Sequence, residues 1–374
     1  MSVLRFVPIK RVKITLINIT DGAALPPRFL YKKDAFEKTI IISMKKGNTV
    51  FFKNAPRISG YAAICGSKEK VGVIGGYADI TLDDDMYAES TFEKAECKML
   101  TNAISLAIEK SGFKERDIDV LISGDLLNQI ISASFSARDY DFPFVGVYSA
   151  CSTMSESMML AAMMVNAGYV KRAVAATGSH FASAERQYRY PLEQGTTRPP
   201  QSQWTVTGAG GCVISDAKEG VKITSATMGR VCDLGVTDVN NMGAAMAPAA
   251  ADTIMRHFMD TDTSPDDYDM ILTGDLGALG SRIVKDLTWE KGFDISDRHV
   301  DCGEIIYKVI EDEFQGGSGA GCSAVVLNSY VLSKMNSGLY KRILFAATGA
   351  LLSTVSSGQG ESIPCISHAV ELEY

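Results

Sequence analysis

Between residues 117 and 179 the chain alternates short apolar runs with a segment of helical period. VLIS (120–123), FVGVY (144–148) and AVAAT (173–177) are continuous apolar runs, the pattern of strands buried on both faces. CSTMSESMMLAAMMVNAG (151–168) is apolar nearly all round, which predicts a helix packed inside the core. Gly168 ends it as a cap, and Lys171 and Arg172 lead into the next strand. Upstream, TVFF (49–52) reads as a first strand.

The pattern then returns in order. DIDVLISGDL (117–126) recurs as DYDMILTGDL (267–276), and GYVKRAVAATG (168–178) as GLYKRILFAATG (338–349). Between them SACST (149–153) faces AGCSA (320–324), each leading into an apolar helix-like stretch. Two repeats in one order predict a duplicated unit with a pseudo-twofold axis. The expected fold is α/β, with βαβ halves at 44–220 and 221–374 stacked in five layers, α/β/α/β/α.

Composition narrows the class. The 374 residues are 46% hydrophobic and 22% charged, with a net charge of −7, which excludes an extended nucleic-acid surface. Residues 1–43 run against this balance. Eight basic and three acidic side chains give them +5 and leave −12 for the remainder. They read either as an extension ahead of a true start at Met44 or as a basic arm for a membrane surface. The eight cysteines are scattered without a CxxC pair, so neither a zinc module nor a disulfide framework is expected. ITLINI (14–19) is too short for a signal-peptide core, and SMMLAAMMV (157–165) is too short to span a bilayer.

Cys151 is the candidate reactive group. It follows a strand and opens the buried helix, where helix N-terminal amides favour a thiolate and accept anions. The other seven cysteines read as small buried hydrophobes. With SACST at a helix head in a duplicated chain, the sequence resembles the nucleophile turn of thiolases and ketoacyl synthases. A narrower resemblance covers roughly 45–374. GDLLNQI (124–130), ACSTMSES (150–157), AERQYRYP (184–191), WTVTGAGG (204–211), MGAAMAPAAADTI (242–254), ILTGDLG (271–277) and GGSGAGCSAVV (316–326) are similar to the stage V sporulation protein AD family. That resemblance implies a thiolase-like fold and a binder of dipicolinic acid, alone or with calcium. It implies partnership with membrane-embedded subunits of the spore dipicolinate channel, on the cytoplasmic side of the forespore membrane. It also implies a peripheral homodimer, with no cofactor and no resident metal.

Condensing enzymes need two hydrogen-bond donors from the second half beside the Cys. Here the matching positions read Asp275 (or Gly274) and Gly317, and neither type donates to an oxyanion at neutral pH. Losing one such donor costs about 2.7–4 kcal/mol of barrier, so condensation is not expected. His180 closes the strand AVAATGS (173–179) and is the histidine expected beside Cys151; His257, His299 and His368 read as surface residues. A planar pyridine with two carboxylates wants cations at its ends and aromatic faces between. Arg186, Tyr188, Arg189, Tyr190 and Arg198 supply these, though the same segment suits an oligomer contact. The expected ligand set is Cys151, Ser152, His180, Arg186, Arg189, Asp275 and Ser318. For calcium, Asp125, Glu156 or Asp275 are the hard-oxygen candidates. Asp125 and Asp275 are repeat equivalents, so capping of a turn is the other reading. TGAGG (207–211) and GGSGAG (316–321) are expected as tight turns or strand edges that need close backbone approach, not as nucleotide loops. The alternative function is a Cys151-dependent acyltransferase using His180 as base.

Overall fold

The computed structural model of the chain describes residues 45–188, 198–308 and 315–374. The basic segment 1–43, Arg189 and Tyr190 lie outside the described residues. The first half contributes β1 (Arg57–Cys65), α1 (Phe92–Lys110), β2 (Val120–Gly124), α2 (Ile131–Ala137) and β3 (Phe144–Gly146). It continues with α3 (Thr153–Asn166), β4 (Arg172–Ser179), α4 (Phe181–Tyr188) and β5 (Gly208–Ser215). The second half contributes β6 (Val221–Thr227), α5 (Met242–Thr261), β7 (Met270–Thr273), α6 (Gly277–Trp289) and β8 (His299–Asp301). It ends with α7 (Ala320–Val326, helical onward to Asn336), β9 (Arg342–Ala350) and β10 (Cys365–Glu373).

The main ladder runs β8-β7-β9-β10-β6-β1-β5-β4-β2-β3. Outward from its middle, one side reads first, fifth, fourth, second and third strand of the first half. The other side reads the same order for the second half. Each half has a parallel trio (β4-β2-β3 and β9-β7-β8) bordered by antiparallel strands. The halves meet where β6 pairs with β1, Val221 with Ile58 and Lys222 with Arg57, and with the short strand Thr49–Phe51, Ser225 with Phe51 through Thr227 with Thr49. α1 and α2 cover the outer face of the first half, and α5 and α6 that of the second. Between the halves lies α3, packed on β2, β4 and β5 from one side and on β9 and β10 from the other. α7 lies in the same layer. This is the expected five-layer order.

The sequence explains why α3 takes that place. Met154, Met158, Ala161 and Ala162 are fully buried, and unbranched Met and small Ala fit a helix with sheet on two sides. Gly168, at φ 75°, then turns the chain into β4. TGAGG corrects the expectation of a strand edge: it opens β5, an interior strand between β1 and β4, buried along its length. Close approach is nonetheless why glycine is there. A Cβ on Gly210 would stand 2.3 Å from the Ala324 carbonyl oxygen of α7.

The surface reading of three histidines is also corrected, since all are buried. On α5, His257 meets the Thr227 hydroxyl at 2.8 Å and the Glu371 carboxylate at 3.0 Å. Burial alone would raise the Glu371 carboxyl, but hydrogen bonding and the charges of His257 and Arg342 bring it down to about 2. The partner strand that makes His257 a core residue lies more than a hundred positions away, out of reach of any local pattern. His299 meets the Thr273 hydroxyl at 2.9 Å, and the Gly229 amide donates to His368 at 3.2 Å.

Candidate functional site

The carboxyl ends of β2, β4, β7 and β9 face one region, and the turn before α3 enters it. In that turn Ala150 adopts φ 51°, a left-handed conformation costing a residue with a Cβ about 1–2 kcal/mol. Surrounding contacts hold it. The Thr153 hydroxyl donates to the Ala150 carbonyl at 2.7 Å, and the Ser152 hydroxyl to the Ala347 carbonyl at 2.9 Å. The Ser149 carbonyl is so close to β9 that a Cβ on Gly349 would lie 2.0 Å from it. The strained turn sets the Cys151 thiol at the wall of a small, partly enclosed pocket.

The cavity is chiefly apolar, with polar groups at chosen points. Leu126, Ala184, Met242 and Leu352 form greasy walls, while Glu185, Thr205 and Ser318 bring oxygens to them. Asp275 sits beneath. Its carboxyl takes a hydrogen bond from Cys151, accepts the Gly319 amide at 2.9 Å and the Thr348 hydroxyl at 3.0 Å, and lies 3.4 Å from the Ser318 hydroxyl. Complete burial raises this carboxyl to about 7; those hydrogen bonds oppose the rise and nearby Asp301 adds to it. Of the two positions matched above to the catalytic histidine, Asp275 is therefore the one at the thiol.

The expected ligand set divides. Cys151 and Ser318 line the cavity and Asp275 joins them. Ser152 lies behind it, spent on the Ala347 carbonyl. His180 is buried but turned away: its Nε2 meets the Asp85 carbonyl at 2.8 Å and its Nδ1 accepts the Ala182 amide at 3.1 Å. Both ring nitrogens are used, burial lowers its pKa, and the ring packs on Phe92. Arg186 points outward and pairs with Glu93 of α1. Arg198 lies over the Trp204 ring and 3.7 Å from Glu185, so it faces a carboxylate of the protein.

Two groups were missed. Glu185 is buried and accepts the Thr205 hydroxyl at 3.0 Å. Tyr148 meets Tyr188, oxygen to oxygen, at 3.2 Å at the cavity rim. The spacing of Ala184 and Tyr188, one helical turn apart, is the signal that finds this face of α4. Asp125, by contrast, keeps to the turn: its two oxygens accept the Leu127 and Ala133 amides, each at 2.7 Å. Burial raises it and its neighbour Glu96 together. Among the described residues no three His, Cys, Asp or Glu side chains converge as a metal site, and no helix is long and apolar enough to cross a membrane.

Known proteins match this arrangement at two levels. The profile of the family described as Stage V sporulation protein AD (SpoVAD) matches residues 46–373. Stage V sporulation protein AD of Bacillus subtilis (strain 168) is 45% identical over 325 residues, 87% of this chain and 96% of that protein. Among solved structures, an OleA variant from Xanthomonas campestris gives a TM-score of 0.57 at 15% identity, covering 87% of this chain and 99% of its own. AbyA1, a tetronic acid condensing enzyme, gives 0.56 at 14%, covering 85% and 100%. 3-oxoacyl-[acyl-carrier-protein] synthase III from Aquifex aeolicus VF5 gives 0.51 at 12%, covering 86% and 100%. At these identities the likeness is one of fold, and the fold is thiolase-like.

Proposed function

The chain belongs to the stage V sporulation protein AD family, and from that premise we propose that its Cys151 cavity binds dipicolinate, or calcium dipicolinate, without condensation chemistry. The observation that carries this reading is the Asp275 carboxyl against the Cys151 thiol. A thioester oxyanion forming at Cys151 would need a donor there. Condensing enzymes place two permanent donors there; here Gly317 has no side chain to donate, and Asp275 donates only in its protonated fraction while its ionised form opposes the developing charge.

The same group suits a binding site. With its carboxyl near 7, Asp275 is protonated in a sizeable fraction of molecules at neutral pH, and its O–H can donate to a ligand carboxylate. The Ser318 and Thr205 hydroxyls stand nearby, and the Tyr148 and Tyr188 rings offer faces for a pyridine. Glu185, the second carboxyl in the wall, has Arg198 beside it. The family's place in sporulation supports a peripheral role at the forespore membrane, as a homodimer serving membrane-embedded channel subunits.

A second reading rests on the strained Ala150 turn, which presents Cys151 as a nucleophile would be presented. Calorimetric titration with dipicolinate, run beside acyl-CoA labelling of Cys151 read by mass spectrometry, separates the two. Saturable binding that Asp275→Ala weakens at least about tenfold, with no acyl adduct, is expected; a tenfold change is about 1.4 kcal/mol. An acyl adduct without dipicolinate binding overturns the binding reading in favour of the acyltransferase.

A further inference from the structure

The Cys151 cavity is not the end of the concave surface. A second, more open depression lies against it, walled by Asn128, Gln129, Ile130 and Ser353. Tyr148 and Tyr188 belong to the walls of both. Their 3.2 Å contact therefore stands where one hollow passes into the other. Tyr148 comes from the segment after β3 and Tyr188 from the last turn of α4, so the contact bridges two elements and breaks when either side chain rotates. Tyr148 is 43% exposed, which leaves its ring room to swing toward the outer hollow.

The outer hollow has a rigid floor. Gln129 and Ile130 adopt φ 59° and 46°, two successive left-handed residues of which the second is β-branched, a strain that persists only where the surroundings enforce it. Ile130 is backed by Gly146 of β3, where a Cβ would stand 2.4 Å from the Ile130 side chain. Tyr188 packs against two apolar clusters, so of the pair it is Tyr148 that has room to turn above this strained floor.

We propose that Tyr148 and Tyr188 gate the Cys151 cavity, and that ligands reach it through the hollow lined by Asn128, Gln129 and Ile130. The gate has work to do only if the cavity takes a ligand, so the inference rests on the binding reading. The hydroxyl pair holds the gate shut; rotation of Tyr148 opens it.

The test follows the reactivity of Cys151, which needs no knowledge of the ligand. The native full chain is treated with iodoacetamide, and alkylation of each cysteine is timed by peptide mass spectrometry. Partly exposed Cys97 and Cys232 serve as internal references, and fully buried Cys212 reports unfolding. In the wild type Cys151 should react much more slowly than Cys232. Tyr148→Phe, which removes one hydroxyl of a hydrogen bond of ordinary strength, should speed Cys151 by about two- to tenfold. Tyr148→Ala should speed it further, with Cys97 and Cys232 unchanged. Equal Cys151 rates in the wild type and Tyr148→Phe, or a wild-type rate matching Cys232, overturns the gate. Should Tyr148→Ala expose Cys212, Tyr148→Phe decides alone. Repeating the series with dipicolinate present separates the two readings. Protection of Cys151 without a variant effect keeps the binding site and removes the gate. A variant effect without protection keeps the gate and removes dipicolinate.

Discussion

Asp125 and Asp275 hold the same place in the two halves: each follows the glycine after a buried parallel strand, in the same GDL turn. Their uses differ. Asp125 spends both oxygens on backbone amides of its own segment, Leu127 and Ala133. Asp275 accepts one distant amide and turns its remaining capacity to the Thr348 hydroxyl and the Cys151 thiol, which comes from the other half. Duplication supplied two copies of a turn-closing carboxylate. One still closes its turn, while the other, set against the first half's helix, has become part of a site.

The comparison can be broken at several strengths. Asp125→Ala strands two buried amides, and charge-assisted hydrogen bonds of this kind make the expected loss of stability about 3 kcal/mol in urea unfolding. Dipicolinate affinity of the folded fraction should stay as it was. A loss below about 1 kcal/mol would remove the turn-closing role.

Asp275 should instead show itself through pH. Its folded carboxyl titrates at about 7, above its unfolded value, so the folded chain holds this proton more tightly. The associated stability is complete below about pH 4 and is lost as pH rises through 7. In Asp275→Asn that slope should vanish, shrinking the stability difference between pH 5 and pH 8 by about 2 kcal/mol. An unchanged slope would mean that the proton sits elsewhere. Smaller still, Ser318→Ala should weaken dipicolinate binding about fivefold, a loss of about 1 kcal/mol for one hydroxyl, with the melting temperature nearly constant. His180→Ala should leave dipicolinate affinity within about twofold, because its ring nitrogens face Asp85 and Ala182, away from the cavity. A loss like that of Ser318→Ala would bring His180 back to the site.

How much of this the sequence carries depends on the range of the interaction. The alternation of strands and helices, the repeat, and the placing of Cys151 at a helix head are local patterns, and they led to the right layers. Asp275 was placed near Cys151 through the resemblance to condensing enzymes, whose second-half donor position matches Asp275 or Gly274, while the repeat itself suggested only a turn cap. Directions of side chains were another matter. Arg186 and Glu185 are neighbours on one helix, yet the arginine points to Glu93 and the glutamate into the cavity wall. Only the helix's rotation against α1 and the sheet decides that. The buried histidines were misread for the same reason: His257 becomes a core residue through Glu371, which the chain supplies from its last strand.

The depth at which α3 lies has a consequence for how the molecule is made. Its two faces are covered by strands from the two halves of the sequence, and the cavity beside it is lined from Leu126 in one half to Leu352 in the other. During synthesis the Cys151 turn leaves the ribosome with the strands that will hold it still about two hundred residues from completion. Until they arrive, the apolar surface of α3 is exposed on one side and Ala150 has nothing from β9 to enforce its strain. A truncated chain therefore carries every residue of the Cys151 turn but lacks Asp275, Ser318 and Leu352, and with them the complete site. Ligand binding reports a finished molecule.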